Sequence, residues 1–92
     1  MVLKRASPTG DDRAMDFHQR LGRLLGGLRE AKGLSQEALA VQLRRDQSYI
    51  SRIEAGERHA SVEYLLEWSE ALGYSFENVA ARIDETWRAG SS

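Results

Sequence analysis

Apolar residues along this chain recur at helical spacings. Phe17, Leu21, Leu24, Leu25 and Leu28 are separated by four, three, one and three positions, which puts them on one stripe of a helix. The pattern predicts a first helix from residue 12 or 16 to residue 32, with Gly33 as its stop. Gly26 and Gly27 each weaken such a helix by roughly 1 kcal/mol relative to alanine. Close approach by another helix would account for them, and so would a flexible point. Leu39, Ala40 and Leu43 form the apolar face of a second helix at about 35–43. Ile50 and Ile53 point inward from a third at about 46–54. Val62, Leu65, Leu66, Trp68, Ala71 and Leu72 predict a fourth, started by Ser61 and stopped by Gly73. Phe76, Val79, Ala80, Ile83 and Trp87 predict a fifth, capped by Ser75. No segment shows a convincing strand alternation. The fold class expected is therefore all-α, a compact five-helix globule with short connections. The breakers Ser7, Pro8, Thr9 and Gly10 mark residues 1–11 as a flexible arm. A single domain is expected over 12–88, with a frayed tail at 89–92.

The stretch from Leu34 to Arg58 is the most informative. It reads as two short helices joined by a three-residue break, Arg44, Arg45 and Asp46. The hydroxyl of Ser35 can cap the first of them, and the carboxylate of Asp46 the second. Two helices crossing this closely need a small residue at the crossing, and Ala40 stands there. With Ile50 and Ile53 turned inward, Gln47, Ser48, Tyr49, Ser51 and Arg52 are left on the outer face.

This segment resembles the helix-turn-helix of the phage repressor and Cro type, the Xre-like family. The resemblance rests on Gln36, Leu39, Ala40, Leu43, Gln47, Ser48, Ile50, Ser51, Ile53, Glu54 and Gly56, and extends from about residue 21 to residue 76. It implies a phage-repressor-type domain with its helix-turn-helix at about 35–54, binding double-stranded DNA. One departure stands out. The family usually has glycine at the first turn position, where φ is often positive, and this chain has Arg44. A non-glycine residue there costs on the order of 1 kcal/mol, so the turn and the angle between its helices are where a different shape is expected.

The major groove of B-form DNA admits an α-helix, and glutamine and arginine can pair bidentately with adenine and guanine. Gln47, Ser48, Tyr49, Ser51 and Arg52 are the expected base contacts. Each taken alone reads better as an ordinary exposed polar residue, and it is their clustering at the start of this helix that points to base contact. The resemblance assigns Gln36 to a phosphate at the positive end of its helix. Arg44, Arg45 and Arg58, in the turn and the following loop, are the further phosphate candidates, with plain solubility as the alternative. Lys4, Arg5 and Arg13 could form a basic arm, but a disordered tail is the simpler expectation. Arg29 and Glu54 match positions that pair in resembling proteins, and this pair is expected to be structural. One such motif reads few base pairs, so a homodimer on a palindrome is implied. Tyr74, Phe76, Val79, Ile83 and Trp87 are the candidates for its interface. Trp87 is expected to meet a partner chain, although packing on the first helix or plain core burial would also account for it. Trp68 is expected to pack back on the first helix.

Charge changes this picture only modestly. The formal net charge of −1 is unlike that of a typical nucleic-acid binder. Its distribution is uneven: residues 1–33 carry +3, residues 34–60 are neutral and residues 61–92 carry −4. One face for phosphate and another turned away would fit, as would a solvated surface of mixed charge. The absence of cysteine removes disulfides and thiolate metal sites and fits a reducing cytoplasm. No apolar run spans a bilayer, and the first ten residues lack the hydrophobic stretch of a secretory signal.

No enzyme motif is present. His18 and His59 are far apart in sequence, with no carboxylate at ligand spacing. No Gly-x-Ser-x-Gly elbow and no phosphate-cradling glycine loop occurs. Neither metal nor cofactor is expected. With no sensor segment visible, regulation by occupancy of a DNA site is the expected mode. The competing reading is a protein-interaction module: an antitoxin-like or restriction-controller-like partner, or an adaptor with weak DNA affinity, its protein partner unknown. The polar, arginine-bearing outer face of the third helix argues against an adaptor.

Overall fold

Asp16 starts the first helix. Its carboxylate accepts from the Gln19 amide while its own amide donates to Gln19 Oε1, both at 2.9 Å, a reciprocal cap that satisfies two otherwise orphaned donors. The computed structural model describes residues 16–91. The expected arm at 1–11, with Lys4 and Arg5, and the more distal Arg13 lie outside the described residues.

Five helices follow in order: α1 (Phe17–Ala31), α2 (Gln36–Leu43), α3 (Gln47–Glu54), α4 (Val62–Leu72) and α5 (Phe76–Ser91). Among the described residues there is no strand. Ser35, Ser61 and Ser75 cap α2, α4 and α5 through their hydroxyls, at 3.0, 3.0 and 3.1 Å. Asp46 departs from expectation. It occupies the cap position of α3 with an extended backbone, but its carboxylate takes no first-turn bond. The Tyr49 amide bonds instead to the Asp46 carbonyl at 3.0 Å, closing a tight first turn.

The core forms where the five apolar stripes meet. Leu25, Leu39, Ile50, Trp68 and Val79 are wholly buried, one from each helix. α3 packs on both α1 and α2, α4 covers α2, and α5 returns along α1 and α4. Helix 3 is thus braced from behind by two others while its far side stays open.

Two residues expected at the dimer surface are internal instead. Val79 is fully buried inside the protomer, so it cannot form a dimer surface. Tyr74 is likewise engaged internally. Its hydroxyl donates to the Leu28 carbonyl at 3.1 Å and its ring stacks on Trp68 at 5.9 Å. Phe76 and Ile83 are half-buried against the core. Trp87 meets Phe17 of α1 edge-on at 5.1 Å, the intramolecular alternative, yet keeps 56% of its surface exposed. The helix also continues to Ser91, past the point where fraying was expected. An Arg88–Asp84 pair at 2.8 Å and a Thr86 hydroxyl donating to the Arg82 carbonyl at 3.0 Å reinforce its last turns. Among the described residues, no helix is long and apolar enough to cross a membrane.

Candidate nucleic-acid interface

The turn between α2 and α3 places Arg44 in the left-handed region, at φ 58° and ψ 45°. The Arg45 amide donates to the Ala40 carbonyl at 3.0 Å and the Arg44 amide to Val41 at 3.2 Å. This is a Schellman closure, normally completed by glycine. It is the same closure that Gly56 makes after α3, with Glu57 donating to Arg52 and Gly56 to Ile53. Arg44 therefore does not reshape the turn as expected. It adopts the glycine conformation at a cost of about 1 kcal/mol.

Beyond this turn, α3 buries Ile50 and Ile53 and exposes Gln47, Ser48, Ser51 and Arg52. A cleft of about 390 Å³ opens beside them. Its walls are Arg44, Arg45, Asp46, Ser48, Tyr49, Arg52 and Arg58, four guanidinium groups against one carboxylate. Such a concave, cationic wall beside a polar helix edge suits a polyanion.

The inner end of α3 is fixed by Glu54. Arg29 grips it bidentately, Nε to Oε2 at 2.8 Å and Nη2 to Oε1 at 3.0 Å, and both side chains are nine-tenths buried. Donating hydrogen bonds to Glu54 raises the pKa of the Arg29 guanidinium above its ordinary value. Arg29 Nη1 also donates to the Leu34 carbonyl at 2.6 Å, and Gln36 Nε2 donates to Glu54 Oε1 at 3.0 Å. Helices α1 and α2 thus meet the carboxylate of α3, and Arg29 ties in the lead-in to α2 through the Leu34 carbonyl. The pairing of Arg29 with Glu54 is the one that the family resemblance implies. Gln36, expected at a phosphate, has one amide hydrogen on Glu54 and the other still available.

Close contact explains two glycines of α1. A Cβ at Gly22 would strike the backbone carbonyls of Ile53 and Glu54, and one at Gly26 would lie 3.0 Å from Glu54 Oε1. Gly27, by contrast, faces open space. Gly22 was overlooked in the sequence, although its i, i+4 relation to Gly26 was the signal of one shared face.

The loop after α3 is tied to α1. Gly56 has φ +79°, and a Cβ there would sit 2.6 Å from Gln19 Cα, so position 56 demands glycine twice over. His59 stacks on His18 with ring centroids 3.6 Å apart, joining two histidines that the sequence keeps distant. Among the described residues, no group of three His, Cys, Asp or Glu side chains is placed to hold a metal ion.

A helix-turn-helix family model matches residues 27–79. An uncharacterised HTH-type transcriptional regulator of Sinorhizobium fredii, y4dJ, is 36% identical over 72 residues, covering 78% of this chain and 94% of the relative. A solved XRE-family like protein from Pseudomonas syringae pv. tomato superposes with a TM-score of 0.67 at 29% identity, over 75% of this chain and 84% of that one. The chain belongs to the XRE-like helix-turn-helix family. That family is one of DNA-binding transcriptional regulators rather than enzymes. The restriction-modification controller protein C.AhdI from Aeromonas hydrophila also superposes, with a TM-score of 0.61 at 39% identity, over 64% of this chain and 89% of that one.

Within this XRE-like frame, the residues proposed for DNA fall into two groups. Gln47, Ser48, Ser51, Arg52, Arg44 and Arg58 are exposed on the α3 side of the turn and loop. Arg45 and Tyr49 are half-buried and engaged within the protein. Arg45 pairs with Glu67 of α4 at 3.2 Å, and its guanidinium lies 4.6 Å from the Tyr49 ring. The long sequence separation between residues 45 and 67 hid that partnership.

Proposed function

We propose that this protein is a sequence-specific transcriptional regulator that acts in the cytoplasm as a homodimer, reading a palindromic operator through the major groove. The observation that carries this reading is the open polar edge of α3, bordered by the arginine-walled cleft. Gln47, Ser48, Ser51 and Arg52 reach base edges, with Arg52 suited to guanine and Gln47 to adenine. Arg44 and Arg58 take phosphates on either side, and Gln36 offers its second amide hydrogen to another. Two copies bind half-sites about one helical turn apart. The dimer face runs along the exposed edge of α5, with Trp87 as its main apolar anchor and Ile83 and Phe76 extending it toward the start of the helix.

The test is binding to a duplex of random sequence across a salt series. A DNA reader loses affinity steeply, with a log–log slope of about −0.9 per phosphate contacted. No measurable binding at low salt would point to the adaptor alternative. The likeness to C.AhdI supports a narrower second reading, in which this chain is itself a restriction-modification controller.

A further inference from the structure

Two guanidinium groups lie over the ring of Tyr49. Arg45 Cζ is 4.6 Å from its centroid and Arg58 Cζ is 4.5 Å away. The two arginines differ in what else they do. Arg45 is half-buried, pairs with Glu67 at 3.2 Å and also lies 5.6 Å over Tyr64. Arg58 is exposed, and among the described residues no carboxylate pairs with it. Tyr49 itself is half-buried, its ring 5.5 Å from that of Tyr64, a core residue only 1% exposed. Contacts therefore run from the core, through one aromatic ring, to an exposed cation on the wall of the cleft.

We infer that Tyr49 is a positioning residue whose ring holds the Arg58 guanidinium at the cleft for a backbone phosphate. It does not read a base. The inference rests on the DNA-binding function proposed above. A guanidinium laid on an aromatic face keeps its N–H edges available while its plane is fixed. Less freedom is then lost when a phosphate arrives. Glu67 already neutralises Arg45, which acts as the inner bracket of the ring rather than as a phosphate ligand. The loop bearing Arg58 is also held to α1 by the His18–His59 stack and by Gly56 against Gln19. Base reading falls to Gln47, Ser48, Ser51 and Arg52.

Affinities for a panel of duplexes, measured across salt, test this with Tyr49→Phe, Tyr49→Leu, Arg58→Ala and the Tyr49→Leu/Arg58→Ala double variant. Tyr49→Phe keeps the ring and should bind as the unmutated protein does. Tyr49→Leu should weaken every duplex by the same factor, roughly three- to tenfold, with base preference intact. Arg58→Ala should also weaken all duplexes alike and flatten the salt slope by about one unit. In that background Tyr49→Leu should add nothing. A changed base preference in Tyr49→Leu, equal losses in the Phe and Leu variants, or additive effects in the double variant would each overturn the inference. Leucine at a half-buried site can unsettle the fold, so the unmutated protein supplies a second measurement. Ring current from Tyr49 should move the Arg58 Cδ protons upfield in its NMR spectrum, and ordinary arginine shifts would refute the stacking. Should the unmutated protein bind no duplex at low salt, the regulator reading fails and takes this inference with it. Should it bind while Tyr49→Leu matches it, this inference alone fails.

Discussion

Arg52 is exposed on the cleft wall, one turn beyond Ser48 on α3, and is the arginine proposed above to read a base. Arg52→Ala is expected to relax preference at one base pair per half-site, a loss of about 1–3 kcal/mol of discrimination. Affinities for duplexes varied one pair at a time measure this; an equal loss on every duplex would assign Arg52 to a phosphate. Arg44 carries strain as well as charge. Arg44→Gly should raise stability by up to about 1 kcal/mol, because glycine adopts the left-handed conformation freely. The same change should lower duplex affinity. Thermal melting and binding together check this, and a gain in both would remove Arg44 from the interface. At this scale the sequence was legible wherever polarity alone decides exposure, as for Gln47, Ser48 and Arg52. It was not legible for Arg45 and Tyr49, whose neighbours Glu67 and Tyr64 belong to another helix. A charged turn residue and an outward-facing ring look the same in sequence whether or not such neighbours exist.

The helices themselves were more readable, because caps and stops are local chemistry. Ser35, Ser61, Ser75, Gly33 and Gly73 each act at or beside the residue that signals them. Asp46 did not follow the rule, since its own carbonyl takes the amide its carboxylate was expected to take. Helix-to-helix contact was the harder inference, as α1 and α3 show. Gly22→Ala should destabilise by about 1–3 kcal/mol, because the added methyl meets rigid backbone of α3. Gly27→Ala meets nothing and should stabilise α1 by up to about 1 kcal/mol. Opposite shifts of the denaturation midpoint are the signature, and matching shifts would contradict the placement of α3. Glu54→Gln removes the buried counter-charge of Arg29, leaving only the exposed Glu30 at 3.7 Å, and should cost about 3 kcal/mol or more. Urea unfolding at constant m-value checks this. A loss below about 1 kcal/mol would mean that the pair is not a fastening point.

For the whole molecule, the five-helix arrangement was legible from periodicity, but the division between core and outer surface of α5 was not. A stripe of apolar residues faces something, and spacing does not say whether that is the same chain or another copy. Val79 and Tyr74 proved internal, and Trp87 divides its surface between Phe17 and solvent. A core this small gains from a partner, so Trp87→Ala should weaken self-association in sedimentation, and an unchanged profile would place the indole wholly in the service of α1. Charge is divided between elements as well. α4 and α5 carry six carboxylates against two arginines, while four arginines wall the cleft at α3. The most direct test of the central claim is selection of bound duplexes from a random-sequence pool by the unmutated protein. The account predicts an enriched palindrome with half-sites about 10–10.5 base pairs apart, centre to centre. A pool that emerges without enrichment, at a salt concentration low enough to favour binding, would contradict it.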